Sequence, residues 1–149
     1  MRRLASIVPL VVLAACQQTA SKGAEVDHAW VRLPAVVGRP GAGYFMLHAG
    51  PVDDRLMSVS SPQAIRAEMH DMSMKDGIMK MAAIDGGLAV PARGTVTFDS
   101  GGKHVMLFDI SPNVKPGGTM TLRFSMVSGG MLEAQAKVIA AGDEEPNAQ

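Results

Sequence analysis

Residues 64–84 read AIRAEMHDMSMKDGIMKMAAI, with Asp76-Gly77 in the second half of the stretch. A two-residue Asp-Gly loop favours a type I′ turn, because both central positions of that turn need positive φ. The sequence therefore predicts a tight hairpin between two strands, near 64–74 and 78–84.

Strand alternation then places a set of metal-ligand side chains on one face of this hairpin. The turn sets Met74 opposite Met79 and Met72 opposite Met81, and side chains of a strand point alternately to opposite faces. His70 lies diagonal to Met81, within reach of long side chains. The predicted face holds one imidazole and four thioethers: His70, Met72, Met74, Met79 and Met81.

The rest of the chain also reads as short strands. Apolar runs separated by Gly, Pro and Asp recur roughly every 8–12 residues, which is typical of an all-β sandwich or barrel. The last run has helix-forming residues, but its alternation of apolar and polar residues favours a strand. The further predicted strands lie near 27–33, 42–49, 55–60, 94–99, 103–110, 118–126 and 131–140.

A second soft-ligand fragment is the H-x-M of Lys103-His104-Val105-Met106. Residues two apart on a strand share a face, so His104 and Met106 can point at one ion. Imidazole and thioether together suit monovalent copper. Methionine is also a common core filler, however, and spacing alone does not decide between a copper site and a methionine-rich core. Nor does it separate Met81 from Met72 or Met79.

The N-terminus, MRRLASIVPLVVLAACQQ, has the form of an export signal. Two arginines precede twelve apolar residues, fewer than the roughly 20 that a spanning helix needs. Leu13-Ala14-Ala15-Cys16 resembles a bacterial lipobox, and Cys16 is the only cysteine. We therefore expect a signal peptide (1–15), a flexible tether after lipidated Cys16 (16–25), one domain (26–141) and a disordered tail (142–149), anchored on the periplasmic side of a bacterial membrane.

Composition excludes several function classes. Basic and acidic residues balance at 14 each, which argues against nucleic-acid binding. An electron-transfer copper site needs a Cys thiolate, and the only Cys lies before the predicted domain. No Ser–His–Asp or paired-carboxylate pattern is visible, so we do not expect an enzyme.

Four stretches resemble the PCu(A)C family of periplasmic copper chaperones, over about residues 29–138. They are EMHDMSMKDGIMKM (68–81), VPARGTVTFDSGGKHVMLFDI (90–110), AWVRLP (29–34) and AGYFML (42–47). The family pattern is H-x10-M-x21-H-x-M, and this chain has ten residues in the first gap but twenty-two in the second. The extra residue fits the Asp85-Gly86-Gly87 turn, where an insertion costs little.

The resemblance implies a function and a ligand set. The implied fold is a cupredoxin-like or immunoglobulin-like β-sandwich, and the implied ligands of one Cu(I) per chain are His70, Met81, His104 and Met106. The implied role is copper delivery outside the cytoplasm to an acceptor such as the copper-A centre of cytochrome c oxidase, often alongside Sco-type thiol proteins. Copper sequestration, or a structural lipoprotein with a methionine-rich core, are the alternatives.

Overall fold

A computed structural model describes residues 23–146, and ten β-strands make up their regular structure. These strands are β1 (Glu25–Arg32), β2 (Gly41–His48), β3 (Asp54–Ser60), β4 (Ala64–Lys75), β5 (Ile78–Ala83), β6 (Leu88–Val90), β7 (Thr95–Phe98), β8 (His104–Ile110), β9 (Thr119–Met126) and β10 (Met131–Ile139). The prediction of an all-β fold is confirmed. Within 23–146 no helix is long and apolar enough to cross a membrane.

The strands form one strongly bent sheet in the order β5-β4-β8-β2-β1-β10-β9-β3-β6, with β7 paired to β2. The pairing of β1 with β10 is parallel, and the other pairings are antiparallel. Phe45 on β2 contacts Phe124 on β9 edge to face, with ring centroids 4.7 Å apart. Because two strands separate β2 from β9 in the sheet order, this contact shows that the open sheet folds over, with its two parts packed face to face as in a sandwich.

Alternation along the strands fills the space between the two layers. On β9, every second residue from Met120 to Met126 is buried. The facing layer contributes Phe45 and Leu47 from β2 and Leu107 from β8. These apolar side chains remove their surface from water, which is the main favourable term in folding.

The predicted hairpin forms as expected. Asp76 and Gly77 have φ of 54° and 74°, as a type I′ turn requires. Met72 pairs with Met81 and Met74 with Met79, in the predicted register.

Strand β6 was not predicted from the sequence. It is only three residues long, yet it pairs with β3 and buries Val90 completely. The turn before it holds Gly86 and Gly87 at positive φ, and a Cβ on Gly87 would lie 2.7 Å from the carbonyl oxygen of Leu56. Glycine is therefore required at position 87.

Residues 142–146 of the predicted tail lie beside the end of β10. The Asp143 carboxylate accepts a hydrogen bond from the Ala140 N–H at 2.8 Å, and its carbonyl accepts one from the Arg32 guanidinium at 3.2 Å. Residues 1–22, which include the predicted signal peptide and Cys16, and residues 147–149 lie outside the described residues. The predicted domain division stays a prediction.

Candidate metal site

Strand β4 lies between β5 and β8, so the predicted ligands lie on three neighbouring strands. His70 on β4 is the direct cross-strand partner of His104 on β8. The two imidazole rings are roughly parallel, inclined by 27°, with centroids 5.9 Å apart. The register therefore brings the two predicted nitrogen ligands side by side.

Both histidines point away from the core. The neighbouring residues Met69 on β4 and Val105 on β8 are buried in the sandwich, and alternation directs His70 and His104 to the opposite face. Met106 lies on this same outer face, two residues along β8 from His104. The candidate site is thus on the outer face of the sheet.

One nitrogen of His70 is held by a carboxylate, and the other has no partner. Nε2 lies 3.2 Å from Oε2 of Glu68, two residues away on the same face of β4. Nδ1 is buried without a hydrogen-bond partner, and the side chain is only 13% exposed. A buried polar atom without a partner is costly. The neutral tautomer that donates from Nε2 leaves a lone pair on Nδ1, which is what a metal ligand needs.

The second imidazole is oriented by the backbone. His104 Nδ1 lies 3.1 Å from the carbonyl oxygen of Gly102. A carbonyl only accepts, so Nδ1 is the protonated nitrogen and Nε2 carries the lone pair. Both histidines thus have the arrangement usual for metal-binding imidazoles, with one N–H fixed by an oxygen and the other nitrogen free to bind.

Glu68 is itself held from the side away from His70. Its Oε1 accepts a close hydrogen bond from the guanidinium of Arg66, whose Cζ lies 3.8 Å from the centroid of the Phe108 ring. The stacked cation fixes the carboxylate, which in turn orients the imidazole. Sequence reasoning missed this residue, although Glu68 shares the outer face with His70 by simple alternation.

The two predicted sulfur ligands are not cross-strand partners of each other, unlike the two histidines. Met106 is the cross-strand partner of Glu68, two residue pairs along the strands from the two histidines. Met81 lies on the outermost strand, opposite Met72, and is 51% exposed. Met72 lies closer to β8, since its N–H donates to the carbonyl of Gly102 at 3.3 Å. The four-ligand set His70, Met81, His104 and Met106 stays a prediction.

The remaining histidines lie in a separate cluster. Asp27 accepts from both, with His28 Nδ1 at 2.9 Å and His48 Nε2 at 3.0 Å. His48 Nδ1 also contacts the Thr95 hydroxyl at 2.9 Å. These bonds connect β1, β2 and β7, so the two residues join strands away from the candidate site.

Within residues 23–146, no three or more His, Cys, Asp or Glu side chains form a group able to hold a metal ion. The cluster described above consists instead of two imidazoles and thioethers. Those are soft, uncharged ligands of the kind that suits Cu(I).

Comparison with known proteins identifies relatives over most of the chain. The family described as "Putative lipoprotein LpqE-like" matches residues 24–138. The "Putative lipoprotein Lxx21020" of Leifsonia xyli subsp. xyli is 28% identical over 139 residues, which cover 90% of this chain and 83% of that protein.

Solved structures with the same fold include two that contain copper. The "Copper-bound PCuAC domain from PmoF2" superposes with a TM-score of 0.65 at 24% identity, over 81% of this chain and 96% of that one. The solution structure of CuI-DR1885 from Deinococcus radiodurans superposes with a TM-score of 0.53 at 28% identity. The match covers 85% of this chain and 83% of that one. The β-sandwich prediction is confirmed by these matches.

Proposed function

The chain belongs to the LpqE-like lipoprotein family, and from that premise we propose that it is an extracytoplasmic carrier of monovalent copper. The observation that carries this proposal is the cross-strand pair His70 and His104, each with one nitrogen fixed and the other left for a ligand. Related folds that contain copper support the choice of metal.

The proposed site holds one Cu(I) per chain through His70, Met81, His104 and Met106. Neutral imidazole and thioether donors add no charge to the ion, and their softness favours Cu(I) over zinc, which generally prefers thiolate, imidazole or carboxylate. Binding of this kind involves no catalysis. The protein holds the ion and releases it unchanged.

Exposure of the sulfur side supports delivery as the purpose of binding. His70 is largely covered, whereas Met81 is half exposed on an edge strand. An acceptor that carries a thiolate can therefore approach from the Met81 side and replace the thioethers one at a time. Such an acceptor would be the copper-A subunit of cytochrome c oxidase or a Sco-type thiol protein.

The proposed location of the protein, at a membrane, rests on Cys16. Lipid attached to this residue would hold the carrier on the periplasmic side of the membrane, close to a membrane-bound acceptor. The lipoprotein family supports an anchor of this kind.

A copper titration of the purified mature protein under reducing conditions tests the proposal. We expect one tight Cu(I), with an X-ray absorption spectrum that contains both nitrogen and sulfur neighbours. Replacing both His70 and His104 with alanine should abolish the tight binding. His28→Asn is the matched control, because asparagine tolerates the positive φ of 47° at that position. A spectrum with only nitrogen and oxygen neighbours would contradict the proposed ligands.

A further inference from the structure

The β4–β5 hairpin carries two methionine pairs on one face, and Met81 is the only one of these four methionines in the proposed site. Met72 pairs with Met81 beside His70, and Met74 pairs with Met79 one step closer to the turn. Met74 and Met79, here called the outer thioether pair, are 64% and 47% exposed. They therefore add little to the core of the protein.

The turn type brings the two sulfurs of each pair close. In a two-residue hairpin, the residues that flank the turn form a hydrogen-bonded pair, so the next pair is of the non-hydrogen-bonded kind. Side chains are closest at such positions, with Cα atoms about 4.5 Å apart. The outer thioether pair occupies the first of these positions, and Met72 with Met81 occupies the next. Both pairs can bring two sulfurs to one ion.

The two lysines of the hairpin lie on the other face. Lys75 pairs with Ile78 and Lys80 pairs with Ser73, and alternation directs all four away from the thioethers. The thioether face therefore presents no ammonium group of the hairpin to a cation, and it continues without interruption to His70.

We propose that the outer thioether pair is a second, weaker binding position for a monovalent soft metal ion, and that copper passes through it on the way to and from the histidines. Successive residue pairs on one strand face are about 6.8 Å apart. Met72 and Met81 lie between the outer thioether pair and His70, so an ion can move along the face in steps of this length. Transfer is ligand exchange: one Cu–S bond forms as another breaks, and the ion stays monovalent. The transfer step rests on the function proposed above, whereas binding at the pair does not.

The test is a Cu(I) titration of the mature protein under anaerobic reducing conditions, followed by the NMR signals of the methionine methyl groups. In the wild type we expect a second, weaker ion whose binding shifts the methyl signals of Met74 and Met79. The double variant Met74→Leu/Met79→Leu keeps apolar side chains of similar volume but has no sulfur at the pair. It should lose the second ion, keep the tight one, and deliver copper more slowly to a thiol acceptor. Met131→Leu, at a strand position that is 65% exposed, is the matched control.

The histidine double variant separates failure of this inference from failure of the proposed function. If His70→Ala/His104→Ala loses tight binding but still shifts the Met74 and Met79 signals, both proposals stand. A second outcome is that the wild type binds a single ion, that the histidine double variant loses it, and that the Met74 and Met79 methyl signals do not shift. The proposed outer binding position would then be wrong, and the proposed copper-carrier function would stand. If only the thioether variant loses binding, the outer position stands and the histidine site is wrong.

Discussion

His70 on β4 and His104 on β8 are direct cross-strand partners, with their ring centroids 5.9 Å apart. The backbone of two neighbouring strands thus sets the separation of the imidazoles before any metal arrives. Glu68 and the Gly102 carbonyl set their orientation. The thioethers on β5 lie instead on an exposed edge strand. The nitrogen half of the proposed site is therefore preorganised, and Met81 is the exposed ligand that can exchange first.

The choice between Met81 and Met72 is the first prediction. Met81→Leu should weaken Cu(I) affinity by more than the 10- to 100-fold typical of losing an outer-shell partner, because it removes a ligand. Met72→Leu should weaken it by less than about tenfold, because Met72 then acts only as a neighbour. Competition with a Cu(I) chelator measures both affinities.

The register makes this comparison informative. Met72 lies on β4 beside β8, whereas Met81 lies one strand further from His104. Should Met72→Leu prove the more damaging variant, Met72 would replace Met81 in the ligand set while both histidines kept their roles.

The sequence predicted the hairpin but not its orientation in the fold. Asp76-Gly77 determined the turn, and with it the pairing of Met72 with Met81. Which face turns outward depends on how β4 packs, and both faces of β4 carry apolar residues, with Ile65 on one and Met72 on the other. The buried Met69 shows that the odd-numbered face of β4 is the inner one.

The pairing of β4 with β8 could not be predicted for a different reason. It joins residues more than thirty positions apart, such as His70 and His104, and no turn signal connects the two strands directly. The short strand β6 depends on the same kind of long-range packing, because it pairs with β3. Local patterns therefore identified the candidate ligand types, and only the fold showed which strands carry them side by side.

The second prediction concerns the two classes of methionine. Met120 is fully buried in the core, whereas Met74 is 64% exposed. Met120→Ala should lower the free energy of unfolding by about 2–5 kcal/mol, and Met74→Ala should change it by less than about 0.5 kcal/mol. Urea denaturation of the metal-free protein measures both. Equal losses would mean that the hairpin methionines are structural, as the methionine-rich core hypothesis requires.

The third prediction concerns acid stability and Asp54 on β3. The Ser128 hydroxyl, at 2.7 Å, and then the Arg55 N–H, also at 2.7 Å, hold the pKa of the Asp54 carboxyl below its ordinary value. The unfolded chain thus takes up this proton at a higher pH than the folded one. The stabilisation is complete above the ordinary aspartate pKa of about 3.9 and is lost as the pH falls through the lower folded value.

The Asp54→Asn variant should therefore lose less stability than the wild type between pH 5 and pH 2, since asparagine does not titrate. Urea midpoints measured across this range give the comparison, with Asp76→Asn in the β4–β5 turn as the charge-matched control. Parallel curves for wild type and Asp54→Asn would show that the hydrogen bonds to Ser128 and Arg55 do not stabilise the ionised carboxylate.

The last prediction separates the anchor from the chemistry. If lipid is attached at Cys16, Cys16→Ser should abolish lipid attachment and leave the copper affinity of the folded domain unchanged. The reason is that the proposed ligands all come from β4, β5 and β8, and the predicted tether joins Cys16 only to β1.

Lipid chains hold a protein by burying methylene groups at about 0.8 kcal/mol each, so the anchor determines location and local concentration. Copper loading of a membrane-bound oxidase should then fall in cells with Cys16→Ser, even where the amount of carrier is normal. Loss of copper binding itself, with the domain still folded, would instead make Cys16 a ligand and the histidine–methionine site wrong.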